Sequence, residues 1–259
     1  MVFYFSGTGN TLWLARQMAE GTGDRLVSMA DEMRGEPQTY QLDEGERLGF
    51  CFPTHGWQPP RLVREFIRRS TFRGAGYVYA LSSCGDSLGE AMKIFNRELQ
   101  RKGLQADALF SVIMPESYVC LPFMYTDSEQ REREKTARAE QQMQHIVETV
   151  RQRTRGVEEL TKGPLPWLMS YVVGQYFNRR MVSDRKFTVD QDACTRCGKC
   201  RRVCPVDNIA GAPPEWLHNG RCTCCLACYH HCPVHAINYG DITRRRDQYY
   251  FNRRADRKS

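Results

Sequence analysis

The sequence contains no run of about 18 apolar residues, which excludes an ordinary membrane-spanning helix. Its first residues, Val2-Phe3-Tyr4-Phe5, read directly as a strand. A basic leader with an apolar core and a small-residue cleavage site is missing, so no secretory signal is expected. No Gly-Lys-Ser/Thr ending follows the only glycine-rich loop, so a Walker phosphate site is excluded. No nucleic-acid-binding motif stands behind the basic residues, and no output module of a sensor protein is present. The rest is ordinary for a globular chain: 41% hydrophobic and 26% charged over 259 residues, a length that suggests about two domains.

Cysteine, by contrast, is abundant and uneven. Eight of the twelve cysteines form two copies of one pattern, Cys194-x-x-Cys197-x-x-Cys200-x-x-x-Cys204-Pro205 and Cys222-x-x-Cys225-x-x-Cys228-x-x-x-Cys232-Pro233. A cubane iron–sulfur cluster needs four thiolates converging on a small volume. Two-residue gaps let three sulfurs wrap one cluster, and the fourth arrives from farther along the chain. A zinc site or a disulfide framework is the competing reading of such spacing. Each run ends in a matched tail, Val206-Asp207-Asn208-Ile209 and Val234-His235-Ala236-Ile237, which marks an internal repeat. A segment of this size buries little core, and bound clusters would act as its staples. Cys51, Cys84, Cys120 and Cys224 read as incidental or buried thiols, Cys224 because its register is wrong for a ligand. Iron–sulfur ligation needs reduced thiols, so a cytoplasmic location is expected.

The formal charge of +7 is unevenly placed. Residues 1–160 hold 20 Lys and Arg against 22 Asp and Glu, whereas residues 161–259 hold 17 against 8. Two oxidised four-iron clusters with their thiolates would bring the total to about +3. The basic excess therefore sits around the cysteines and in the tail from Arg244-Arg245-Arg246 to Lys258. It reads as compensation for cluster charge, or as a docking patch for an acidic partner protein.

In the first half, the apolar run 2–5 leads into Ser6-Gly7-Thr8-Gly9-Asn10-Thr11 and then a helix-like stretch. Strand, small-polar loop and helix in that order bind phosphate in α/β folds. Glycines let the backbone approach the oxygens, hydroxyls and N–H groups donate to them, and the helix N-terminus adds its dipole. Leu12 stands where the dinucleotide fingerprint needs its third glycine, and no lysine is present, which suits a monophosphate ester held by neutral donors. Strands are expected at 48–53, 76–82 and 109–114, and helices at 61–70, 86–102 and 128–155. This alternation predicts a doubly wound parallel sheet, with ligands at the C-terminal ends of its strands.

The loop Ser6-x-Thr8-Gly9-Asn10-Thr11 resembles the phosphate loop of flavodoxins, which bind flavin mononucleotide (FMN). Pro53-Thr54-His55-Gly56-Trp57 looks like that family's loop along the isoalloxazine ring, and Ser82-Ser83-Cys84-Gly85-Asp86 sits where its second flavin loop belongs. With the cysteine runs, nearly the whole chain resembles bacterial fusions of a flavodoxin-like domain with a small α+β two-cluster ferredoxin domain. Met114-Pro115-Glu116-Ser117-Tyr118 extends the likeness, with Ser117 where the fusion family often has Asn. The resemblance implies that Ser6, Thr8, Asn10 and Thr11 bond the phosphate and that Gly7 and Gly9 permit the turn. Trp57 would stack on the ring, with Tyr118 as a second stacking candidate. It also implies crossed ligation, as in bacterial ferredoxins: Cys194, Cys197 and Cys200 with Cys232, and Cys222, Cys225 and Cys228 with Cys204.

These readings divide the chain into an FMN-binding unit (1–160), a connector (161–186), a two-cluster unit (187–240) and a basic tail (241–259). Gly163-Pro164 and Pro166 mark the break, and residues 167–177 read as a short apolar helix that packs between the units or lies on a membrane surface. The expected function is electron transfer between two 4Fe-4S clusters and FMN. A flavin-dependent reductase fed by its own clusters is the alternative, with Glu116, Asp86 and His55 as the acids near the site. A redox sensor is a third possibility.

Overall fold

A computed structural model describes residues 1–253. The charged end of the expected tail, Arg254 to Ser259, lies outside the described residues. The chain opens with strand β1 (Val2–Tyr4), helix α1 (Asn10–Thr22), strand β2 (Leu26–Ser28) and the short helix α2 (Met29–Glu32). Strand β3 (Thr39–Gln41), strand β4 (Leu48–Pro53) and helix α3 (Arg61–Arg69) come next. Strand β5 (Thr71–Arg73), strand β6 (Val78–Cys84) and helix α4 (Ala91–Gln100) are followed by β7 (Ala108–Ile113), α5 (Glu129–Arg151) and β8 (Val157–Glu159).

Six strands make one parallel sheet in the order β2-β1-β4-β6-β7-β8, and β3 pairs with β5 beside it. Every residue of β6 is buried, as expected for a strand covered on both faces. Alternation sorts the β4 side chains to opposite layers. Phe50 and Phe52 join Phe66 of α3 and Phe95 of α4, while Cys51 joins Leu14 of α1 and Met143 of α5. The expected strands and helices lie where the pattern placed them, with shifted ends. The helix expected from 86 begins only at Ala91, because Gly89 adopts φ +59° and breaks the first turn. The short edge strands β2 and β8 went unread.

A helical segment over 166–181 then crosses the sheet's C-terminal edge, partly wound with i→i+5 hydrogen bonds. Strand β9 (Phe187–Val189), β10 (Ile209–Ala210), β11 (Glu215–Trp216) and β12 (Ile237–Tyr239) complete the fold, with β9 antiparallel to β12 and β10 to β11. The sequence repeat is visible in the backbone. Arg196, Gly198 and Asp207 are left-handed in the first copy, and Cys224, Leu226 and His235 are left-handed at the matching places in the second. One-turn helices, Lys199–Arg202 and Ala227–His230, also correspond.

Candidate functional site

The loops after β1, β4, β6 and β7 converge on one cavity with about 290 Å³ of interior space. Parallel strands end on the same side of the sheet, so their following loops necessarily meet there. In the first loop Gly9 takes φ +94°, where a side chain would be strained, and its N–H donates to Ser6 Oγ at 3.1 Å. Helix α1 starts immediately afterwards without a side-chain cap, so its N-terminal dipole points at the loop.

Most of the expected flavin-contact residues line this cavity: Ser6, Gly7, Thr8, Asn10 and Thr11 from the first loop, the whole 53–57 segment, Ser83 to Asp86, and Tyr118. Ser82 does not. It lies inside β6, and its Oγ shares a 2.9 Å hydrogen bond with Thr54 Oγ1. Gly9 does not line the cavity either, because its α-carbon faces Phe251. The Asn10 amide is already engaged: its Nδ2 donates to Pro115 O at 2.9 Å, and its Oδ1 accepts from Tyr249 Oη at 2.5 Å. Thr11 and Ser83 share a 2.7 Å hydroxyl bond. These bonds hold the loop in shape, with Asn10 and Thr11 lining the cavity beside the hydroxyls of Ser6 and Thr8.

The 53–57 loop is braced from outside. Gly56 sits at φ +53°, and any side chain there would run into Phe177 at 2.4 Å. Trp57 also has positive φ, and its indole N–H donates to Ser87 Oγ at 3.2 Å. Phe177, unremarked in the sequence because it belongs to the connector, lines the cavity and meets Tyr118 edge-on at 5.4 Å. His55 is held neutral, since burial pushes its pKa down to about 4. Glu116 lines the cavity with its carboxyl pushed up by burial, against the N–H groups of Tyr118 and Ser117 that donate to it.

The cysteines gather around two small cavities. One is bordered by Cys194, Cys197, Cys200 and Cys232, the other by Cys204, Cys222, Cys225 and Cys228 together with Cys224, which lies outside the repeated pattern. Of the patterned cysteines, each cavity thus takes three from one run and one from the other. The matched tails bend alike, with the Asn208 N–H on Cys204 Sγ at 3.3 Å and the Ala236 N–H on Cys232 Sγ at 3.2 Å. All twelve cysteines are free thiols. Among the described residues no three His, Cys, Asp or Glu side chains form a group for a single metal ion. Cys224 is turned away, its thiol donating to Ser183 O at 3.2 Å.

The second cysteine set meets the first site directly. Cys224, Cys225 and Leu226 form one wall of the cavity beside the β-strand loops. A β-carbon on Gly7 would stand 2.9 Å from both the β-carbon and the carbonyl oxygen of Cys225. Around this contact the two parts interlock. Buried His230 donates from Nε2 to Ser117 O at 2.6 Å and accepts on Nδ1 from the Tyr249 N–H at 3.0 Å. Residues 248–251, part of the expected basic tail, form a strap. Gln248 donates to Tyr229 O and Cys232 O, and the Phe251 N–H donates to Thr8 O at 2.8 Å. Spacing gave no signal of this strap, because it is a single pass of irregular chain.

A family model for the 4Fe-4S binding domain matches residues 187–210, the first cysteine run with its β9 and β10 flanks. This supports an iron–sulfur segment near the C-terminal end of the chain. Among solved structures, the chain is similar to a candidate flavoprotein from Bacteroides uniformis. The identity is 19%, over 44% of this chain and 88% of that one, with a TM-score of 0.34, too low to bear on the fold. No curated protein matches.

Proposed function

We propose that this chain passes electrons between two 4Fe-4S clusters and one FMN. On this reading the parallel sheet of residues 1–160 is flavodoxin-like and holds the flavin. Residues 187–240 hold the clusters as a ferredoxin-type unit, and 161–186 connects the two. The observation that carries the reading is the shared wall: Cys225 borders both its cysteine cavity and the cavity of the β-strand loops. Clusters supply one-electron transfer and flavin supplies a one- or two-electron store.

The residues present fit both groups. The loop at Ser6 to Thr11 offers neutral donors and a helix N-terminus to a terminal phosphate. Trp57, Tyr118 and Phe177 offer aromatic surface, which excludes water from a flat ring. The two cysteine sets offer four thiolates each, in the crossed arrangement of bacterial ferredoxins. The set containing Cys197, which is exposed, would face a redox partner. Arg196, Arg201 and Arg202 around it are exposed too, and suit an acidic partner protein. Reduced thiols accord with the cytoplasm.

A second reading has one observation in its favour. Glu116 presents a half-buried carboxyl of raised pKa to the cavity, the property needed to donate a proton to a small substrate over the ring. The test of the main reading is composition. Anaerobically prepared protein should carry about eight iron, eight acid-labile sulfide and one FMN per chain. Stoichiometric zinc without sulfide, or absence of flavin, would refute it.

A further inference from the structure

The helical segment 166–181 has its polarity reversed relative to an ordinary surface helix. Its buried side is small and polar. Ser170 is fully buried, with its Oγ accepting from the Glu90 N–H at 2.7 Å and its carbonyl accepting from Gln58 Nε2 at 2.7 Å. Buried Gly174 presses on the carbonyl of Gly56, and Asn178 donates to His55 O at 3.1 Å. Its exposed side is apolar: between residues 167 and 178 the exposed side chains are Trp167, Leu168, Val172, Val173 and Tyr176. Trp167 is 62% exposed and Tyr176 63%, so no neighbouring element covers them. A soluble surface helix shows the opposite arrangement, and a contiguous exposed apolar face marks a docking surface.

Charge decides what docks there. From residue 161 to 183 the chain carries Lys162, Arg179 and Arg180 and no Asp or Glu. Both arginines are exposed, immediately beyond the apolar face, and Lys162 is exposed just before it. A second copy laid against this helix, parallel or antiparallel, would set cation against cation at both ends. An anionic lipid surface complements the arrangement instead. Apolar side chains enter the headgroup boundary, Trp and Tyr sit at the interface, and flanking cations meet lipid phosphates. The segment is too short to span a bilayer, and no described helix is long and apolar enough to do so.

We propose that the chain docks peripherally on an anionic bilayer through the outer face of segment 166–181. The proposal does not depend on the cofactor assignment. It would bring the mouth of the electron-transfer site, which Phe177 of the same segment helps to form, close to the membrane surface.

The test is flotation of the full chain, prepared anaerobically, with vesicles of phosphatidylglycerol mixed into phosphatidylcholine, against vesicles of phosphatidylcholine alone. Binding to the anionic vesicles is expected, weaker in high salt. Arg179→Ala with Arg180→Ala should lower it roughly 30-fold, at about a factor of five per arginine. Trp167→Ser with Tyr176→Ser should abolish it. These side chains are exposed, so iron content and melting temperature should stay unchanged and report intact folding. Absence of binding, or equal binding to neutral vesicles, would overturn the proposal. So would a concentration-dependent dimer that Trp167→Ser dissolves, which would assign the face to a second copy of the chain.

Discussion

Acidification should loosen the joint between the cysteine-bearing segment and the β-strand loops, and His230 is the group through which it acts. Its ring is fully buried, with an N–H aimed at Ser117 O and its other nitrogen accepting from the Tyr249 N–H. A proton added to Nδ1 would face the N–H of Tyr249. Desolvation accordingly pushes the His230 pKa down to about 3, only partly opposed by the bond to Ser117 O. An unfolded histidine titrates near 6.5. The unfolded chain therefore binds this proton more readily, and the contribution of neutral His230 is complete above about pH 6.5. It is lost as pH falls from there towards about 3, at about 1.4 kcal/mol per pH unit. Between pH 7.5 and 5.5 the loss is about 1.4 kcal/mol, or a few degrees in melting temperature for a chain of this size. His230→Gln removes the titration. Melting both proteins anaerobically at the two pH values isolates the effect, because other histidines and any bound clusters are common to both. The stability gap between wild type and variant should narrow by about 1.4 kcal/mol at pH 5.5. A gap independent of pH would refute the assignment of a neutral, interlocking His230.

Other consequences follow from the same contacts. Gly7→Ala drives a methyl group against Cys225 backbone, where relief costs about 1–3 kcal/mol. Flavin content and the cluster of the 222–228 run should fall together, while the other cluster persists. Cys204→Ala and Cys225→Ala should damage the same cluster, and Cys197→Ala and Cys232→Ala the other. Magnetic resonance of the reduced proteins should therefore sort the variants into those pairs. Glu98 is nearly inaccessible and paired with Arg64, Arg68 and Arg101. Burial opposes its charge, but Arg68 and Arg64 outweigh it and pull the carboxyl down to about 2. Its contribution is thus present above about pH 4.5 and lost as pH falls towards 2. Glu98→Gln should cost about 3 kcal/mol at pH 7, as anaerobic thermal melts of the two proteins would show.

Long apolar strands, glycine-rich turns and cysteine spacing are local signals, and they made the sheet, its C-terminal loops and the two cysteine runs readable. Val78 to Cys84 could scarcely be anything but a central strand. Three residues such as Leu26 to Ser28 carry too little periodicity to announce an edge strand. Site residues separated along the same line. Thr8 and Trp57 were legible as cavity-lining residues because small-polar loops and loop aromatics after strands are local signals. Asn10 has that chemistry too, but its amide also bonds long-range partners, Pro115 and Tyr249, which the sequence did not reveal. Phe177 and the strap at Phe251 reach the site only through tertiary packing, and nothing in their local sequence marks them. Residues 167–177 read as a short apolar helix, either packed between two units or lying on a membrane surface. Its apolar side faces out, because the loops at Gly56 and Glu90 accommodate Ser170, Asn178 and the bare backbone of Gly174.

Flavin and the Cys204, Cys222, Cys225 and Cys228 set should be immediate neighbours, and magnetic resonance relaxation of the one-electron-reduced flavin tests this most directly. In Cys197→Ala, which loses the outer cluster, the reduced inner cluster should still speed the relaxation of the flavin signal. In Cys225→Ala the enhancement should disappear. Enhancement that survives Cys225→Ala and vanishes in Cys197→Ala would place the other cluster beside the flavin and contradict the shared wall on which the account rests.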